Sequence, residues 1–279
     1  MKALNKAIWY IEDHCRDPVS LDALADVAGV SRYHLSRMFC YAVGYPISRY
    51  IRLRRLSTAA IALAGGKSDI LDLALSVGYG SHEAFTRAFK EQFAMTPEQV
   101  RAQGSTKDLQ LTEAISMNHN TTKSLARPRF ETLHKLDIVG LSRTYAFDSV
   151  AEIPDQWQSF VPMIPQIASS DTPITYGVIY NGSDDRFDYL SGVEHPVGTA
   201  GKDIPKDMTS LTVPAQTYAV FWHSEHVATL SQTCDAIWSQ WLPSSGKTVI
   251  EAPWFERYDQ QFDPMTGFGG LEVWIPIRA

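Results

Sequence analysis

Cysteine is scarce. Three occur in 279 residues (Cys15, Cys40 and Cys234), too few and too scattered for a disulfide framework, which points to a reducing compartment and a cytoplasmic chain. No unbroken apolar run approaches the roughly 18 residues that a membrane helix needs. The opening MKALNKAIWYIEDHCRD places acids in its first turns and has neither a signal-peptide core nor a cleavage site. Nucleotide loops, nucleophile elbows and zinc-binding helices are missing as well. These absences exclude secreted, fibrous and membrane classes. What remains, 44% hydrophobic and 20% charged, is a globular chain long enough for about two domains at ~100–200 residues each.

Its charge is unevenly spread. Residues 1–107 hold 14 Lys+Arg against 10 Asp+Glu, whereas residues 108–279 hold 11 against 21, and six of the seven Trp lie in the second part. A mildly basic, Trp-poor half joined to an acidic, Trp-rich half points to two different tasks.

The first 104 residues read as helix, with Leu4, Ile8 and Ile11, then Leu21, Leu24, Ala25 and Ala28, at helical spacing. Pro18 with Ser20, Ser31, Pro46, Ser68 with Asp69, and Ser81 punctuate them, and Thr96-Pro97-Glu98-Gln99 opens a last helix with a capping box, giving about seven helices. Residues 105–125 are polar and weakly patterned, the best linker. Strands dominate beyond: Arg129–Ser142 before a turn at Gly140, then Thr175–Tyr180, Thr217–Trp222 and Leu271–Ile277, interrupted by helical stretches at Pro154–Ile167 and Val227–Trp241. Pro276 suits a strand end. The expected fold class is multidomain: an all-α double helix-turn-helix N-terminal domain plus an α+β C-terminal domain. Its boundaries are 1–105, a linker at 106–126, and 127–279.

Sliding the first domain by 50 residues lays Leu21–Phe39 over Leu71–Phe89, with six of nineteen positions identical. Each copy reads as helix, small-residue turn, Ser cap and second helix, the helix-turn-helix plan, with motifs at about 21–42 and 71–92. Pro46–Leu63 between them can form a helix of about 18 residues, near 27 Å. Such a rod would hold two recognition helices about one DNA turn (~34 Å) apart, so that a monomer can read two successive major grooves. Arg49, Arg52, Arg54 and Arg55 line this helix, some available for phosphates.

SRYHLSRMF, the Gly44-Tyr45-Pro46 break and GYGSHEAFTRAFKEQFAMTPEQVR (Gly78–Arg101) resemble the AraC/XylS family of transcription activators over essentially all of residues 1–104. The resemblance implies that Tyr33, Ser36 and Arg37 on the first recognition helix, and His82, Glu83, Thr86 and Arg87 on the second, face double-stranded DNA. Arg37 is the leading base reader, because a guanidinium fits guanine bidentately. Glu83 and Ala84 depart from the amides and hydroxyls of close relatives. The alternative is that Arg37 or Arg87 pairs with Asp22, Asp26 or Asp72 and holds the motif together; His34 reads as packed within it.

In the second domain, His223-Ser224-Glu225-His226 lacks a further ligand at metal spacing and reads as a solvated turn, and Cys234 as core. Two acids stand among aromatics, Glu256 in PWFERY and Glu272 beside Val273 and Trp274. A carboxylate among rings suits an amphipathic cation; the alternative is an acid facing solvent on an ordinary strand. Thr217–Trp222, the Ile237–Gly246 stretch, Pro253–Tyr258 and Glu272–Ile277 resemble the GyrI-like effector-binding domain over about residues 127–279. That resemblance implies paired β-α-β-β units forming a cleft, with ligand-binding residues Glu256, Tyr258, Glu272 and Trp274, and more loosely Tyr176 and Trp222. An AraC module followed by a GyrI-like domain is the order found in Rob-like regulators, whose effectors include cations and anions.

The resulting expectation is a transcription activator of the multidrug or stress-response kind. It would bind a bipartite promoter site, RNA polymerase and a small amphipathic effector, with no catalytic residues, metal, cofactor or membrane partner. A GyrI-like small-molecule hydrolase using Glu256 or Glu272 with Tyr258, or a protein-docking module, is the alternative.

Overall fold

The computed structural model describes residues 2–15, 17–66, 69–115, 124–147, 149–168, 170, 172–183, 186–195 and 204–278. Ser68 and residues 116–123 of the expected linker lie outside the described residues. The chain divides into two units, one of Met1–Leu35 with Tyr45–Asn120, the other of Ser36–Gly44 with Thr121–Ala279.

The helices are α1 (Lys2–Asp13), α2 (Leu21–Ala28), α3 (Arg32–Val43), α4 (Ile47–Ala64), α5 (Ile70–Ser76), α6 (His82–Phe93) and α7 (Pro97–Gln103). Local chemistry sets their ends. Ser20, Asp69 and Ser81 accept the orphan amides of α2, α5 and α6, and Thr96 with Gln99 closes the capping box of α7. The α2 helix stops where Gly29 turns left-handed at φ 72°. In the first unit α4, α5 and α6 share a core in which Leu56, Leu63, Phe85, Phe89 and Phe93 are buried. Part of the expected linker is docked, not free. Leu109 and Leu111 pack on that core, the Thr112 amide donates to Ser57 Oγ (2.9 Å), and the Ile115 amide donates to Tyr50 Oη (3.0 Å).

The second unit is built on a sheet of eight antiparallel strands in the order β1-β6-β8-β7-β3-β4-β2-β5. These are β1 (Arg129–Leu133), β2 (Leu136–Ala146), β3 (Thr175–Tyr180), β4 (Arg186–Glu194), β5 (Thr209–Val213), β6 (Gln216–His223), β7 (Trp254–Tyr258) and β8 (Leu271–Pro276). The order is a palindrome of two repeats about 80 residues apart: β1 and β5 begin at 129 and 209, β2 and β6 at 136 and 216. Each short first strand crosses to the other repeat, β1 onto β6 and β5 onto β2, instead of pairing with its sequence neighbour. The exchange ties the repeats together and puts β1 and β5 at the two edges of the described sheet.

Several elements depart from the sequence reading. Gly140 lies inside β2, paired with Gly192 of β4 and not at a turn; it is glycine because a Cβ there would collide with the Ser191 and Gly192 backbone. The stretch from Pro154 splits into α8 (Ile153–Phe160) and a 3-10 segment, Val161–Gln166. The Val227–Trp241 stretch becomes a 3-10 turn, α9 (Leu230–Ala236) and a π-helical turn at Ile237–Trp241, followed by α10 (Leu242–Ser245). No helix among the described residues is long and apolar enough to cross a membrane.

Candidate functional site

On α6 the second recognition segment keeps a polar outer face while Phe85, Phe89 and Phe93 are buried. Arg87 and Glu83 are exposed there. His82 is half-exposed and sits 3.3 Å from Glu98, and Thr86 Oγ1 is buried without a hydrogen-bond partner among the described residues, so these two are less available than their neighbours. Along α4, Arg49 and Arg52 are exposed. Arg54 and Arg55 turn inward: Arg54 clamps Glu12 through Nε (2.9 Å) and Nη2 (2.7 Å), and Arg55 Nε donates to Cys15 O (2.7 Å).

The first recognition segment differs from the expectation. Tyr33 is half-buried, but Ser36 and Arg37 are 7% and 2% exposed, within five consecutive buried residues, Leu35–Phe39. A helix with one free face buries only every third or fourth residue. Arg37 therefore presents no outer face to base edges in this structure. Of the anticipated acids, Asp22 meets Arg32, at 3.3 Å.

In the second unit the six candidate ligand residues fall on opposite sides of the sheet. Successive residues of a strand alternate sides and cross-strand partners share one. Glu256 pairs with Val273, and Arg257 with Glu272. Tyr176 pairs with Arg257, and Trp222 with Glu272. So Glu272, Trp274, Tyr176 and Trp222 stand on one side, Glu256 and Tyr258 on the other.

The Glu272 side is closed. Its carboxylate receives Arg129 Nη2 (2.7 Å), Arg257 Nη1 (3.3 Å) and Trp274 Nε1 (2.9 Å), while Tyr176, Phe255 and Trp274 belong to a packed core. A carboxylate already neutralised by two guanidinium groups has little left for a ligand's cation. Trp222, 42% exposed, packs over Gly270.

The Glu256 side is a built acid site. Tyr189 Oη and Tyr258 Oη each donate to Glu256 Oε2 at 2.8 Å, and Trp157 Nε1 donates to Tyr189 Oη at 2.9 Å. Among the described residues Glu256 has no cationic partner. Burial pushes the carboxyl above its ordinary value, and the two tyrosine hydroxyls pull it part of the way back. The α8 helix that supplies Trp157 is held down by the fully buried Gln156, whose Nε2 donates to Leu141 O (2.8 Å) and whose Oε1 accepts from Tyr145 Oη (2.8 Å). Rings complete the wall: Trp157 meets Tyr258 edge-on at 5.4 Å, and Trp254 meets Trp238 at 6.2 Å. The Trp254 Nε1 is buried without a hydrogen-bond partner among the described residues. Sequence reading missed Trp157, Tyr189, Gln156 and Gly177, because α8, β3 and β4 meet Glu256 only through the sheet.

At the histidine pair, His223 is buried with Nδ1 at 2.7 Å from Thr233 Oγ1, and its Nε2 lies 3.2 Å from His226 O, a structural role in place of the expected solvated turn. No group of three or more His, Cys, Asp and Glu among the described residues is placed to hold a metal ion.

Comparison with known proteins agrees with this two-part organisation. The GyrI-like small molecule binding domain matches residues 126–278, and a helix-turn-helix domain matches residues 24–103. The chain is 35% identical over 179 residues to the right origin-binding protein of Escherichia coli K12, covering 61% of this chain and 59% of that protein. It thus spans about three-fifths of the length of that relative. It is 36% identical over 100 residues to the E. coli regulatory protein SoxS, covering 36% of this chain and 94% of SoxS. The solved structure of SAV2435 bound to tetraphenylphosphonium matches with a TM-score of 0.46 at 20% identity, covering 55% of this chain and 95% of that one. The chain belongs to the GyrI-like small-molecule-binding family, with an AraC-type helix-turn-helix region ahead of that domain.

Proposed function

We propose that this chain is a DNA-binding transcription activator, working in the cytoplasm, whose second unit senses an amphipathic cation. The observation that carries the sensing is Glu256: a buried carboxylate held by two hydroxyl donors and walled by aromatic rings, with no salt-bridge partner among the described residues. A positive ligand seated there gains charge attraction and ring contact together, about 1–2 kcal/mol or more for the ring part when desolvated. Names of the relatives, a right origin-binding protein and a regulatory protein, support the DNA half, as does the helix-turn-helix match. On this reading Arg87, Glu83 and Thr86 with His82 meet one major groove, Tyr33 meets the other, Ser36 and Arg37 join it only in an arrangement that uncovers them, and Arg49 and Arg52 meet phosphates. RNA polymerase is the further partner of an activator, and two readers on one chain make a monomer sufficient.

The test uses two probes of one shape and opposite charge, tetraphenylphosphonium and tetraphenylborate. Tryptophan fluorescence should report binding of the cation and little of the anion, and promoter-fragment affinity should change when the cation is added. Equal binding of both ions would remove the acid from the argument; no response of DNA affinity would remove the sensing.

A further inference from the structure

The second unit includes a short stretch from earlier in the chain, Ser36–Gly44, and that stretch brings a cation with it. The Arg37 guanidinium carbon lies 4.9 Å from the Phe147 ring centroid, 5.0 Å from Phe187 and 6.0 Å from Trp254. One turn on, Tyr41 stacks on Trp238 at 6.4 Å with planes 9° apart, and meets Trp254 edge-on at 6.4 Å. Trp254 is the residue two before Glu256 on β7, on the same side of the sheet. The charges of Arg37 and Glu256 both reach the buried Tyr41 hydroxyl. A guanidinium 2% exposed among three rings, joined to a flat ring stacked on tryptophan, has the chemistry of an aromatic cation.

We propose that Arg37 and Tyr41 are a tethered occupant of the Glu256 site, and that the effector, a cation with an aromatic body, binds by displacing them and so frees Arg37 for DNA. The inference rests on the sensing function proposed above and adds its regulation. Arg37 cannot lie over Phe147 and Phe187 and reach a base edge at the same time. A ligand that takes its place has different affinity for the two arrangements, which is what a shift between them requires. The tether raises the local concentration of the competitor, so the apparent affinity for a free cation is reduced by the fraction of chains in which Arg37 is seated.

The experiment is done on the full chain with tetraphenylphosphonium as probe. Arg37→Met keeps the apolar stem and removes the charge; affinity for the probe should rise at least fivefold, with Arg37→Lys, a poorer match to stacked rings, in between. Amide exchange of wild type should speed up over residues 36–44 when the probe is added. Unchanged or weaker probe binding by Arg37→Met, or exchange over 36–44 that is unaltered or slowed by bound probe, overturns the displacement while leaving the site itself standing. Should Arg37→Met not fold, the wild-type exchange measurement decides alone. If Glu256→Gln binds the probe as well as wild type, or neither wild type nor Arg37→Met binds it, the site reading fails first and the displacement with it.

Discussion

Gly177 on β3 lies directly opposite Glu256 on β7, and the missing side chain is what lets the acid reach its tyrosine. A Cβ built on Gly177 would overlap Tyr189 Oη and stand 2.6 Å from Glu256 Oε2. Neither group is the loose end of a surface chain; both are buried and bonded to each other. Gly177→Ala is therefore expected to break the Tyr189–Glu256 hydrogen bond and to lower stability by about 1–3 kcal/mol through overpacking. Urea denaturation measures the loss, and probe titration should show weakened cation binding at temperatures where the variant is still folded.

Glu256 itself sets stability against ligand binding. Its folded pKa is raised above the unfolded value, so the folded state holds the proton more tightly and is favoured most at low pH. That advantage disappears as pH rises through the folded pKa. Glu256→Gln removes the cost of a buried charge while keeping an acceptor for Tyr258. Thermal melts near neutral pH should show the variant at least as stable as wild type, and cation affinity should fall roughly 5–30-fold, equivalent to about 1–2 kcal/mol. Wild-type affinity for the cation should rise with pH above the ordinary glutamate range, and the variant's should stay flat. A variant that loses stability and keeps affinity would contradict both halves.

What could be read from the sequence follows the range of the interactions. Caps such as Ser20, Ser81 and Thr96 act within three residues, so the seven helices and the 50-residue repeat are legible in the sequence. The pairing of Glu256 with Val273 is not. Parity along a strand groups Glu256 with Tyr258, and Glu272 with Trp274, but only the register between β7 and β8 says whether the two groups share a side, and it separates them. The crossing of β1 and β5 is equally non-local, since each ignores the strand next to it in sequence. The burial of Arg37 has a related cause. Its sequence neighbours fix it on a helix, whereas Phe147, Phe187 and Trp254, more than a hundred residues away, decide what it meets.

On the proposed function the exposed arginines make two kinds of DNA contact. Arg87 stands on the outer face of α6, where a base edge is within reach of a recognition helix, while Arg49 and Arg52 lie on the connecting helix. Arg87→Ala should cost about 1–3 kcal/mol on the preferred sequence and flatten discrimination against altered sites. Arg52→Ala should weaken all sequences alike and reduce the salt slope of log K by about 0.9. Fluorescence anisotropy on matched and scrambled duplexes at several salt concentrations distinguishes them, and a uniform loss from Arg87→Ala would reassign it to the backbone.

The stretch after α7 is fastened by one ion pair whose charge state is set by pH. Arg54 grips both oxygens of Glu12 and also donates Nη1 to Thr112 O at 2.6 Å, and Tyr50 Oη donates to Glu12 while accepting the Ile115 amide. Burial pushes the Glu12 carboxyl up, but hydrogen bonds from Arg54 and Tyr50 and the guanidinium charge outweigh it and hold the pKa below the ordinary glutamate value. With the folded pKa depressed, this stabilisation is complete above the unfolded glutamate pKa and is lost as pH falls through the folded one. Both side chains are largely screened from solvent, so the contribution should be about 1–3 kcal/mol, beyond that of a surface pair. Glu12→Gln should be less stable than wild type by that amount near neutral pH, and the difference should close at acid pH. Amide exchange at Thr112 and Ile115 should quicken in the variant. A stability gap that is the same at both pH values would mean that packing, not charge, holds residues 109–115 on α4.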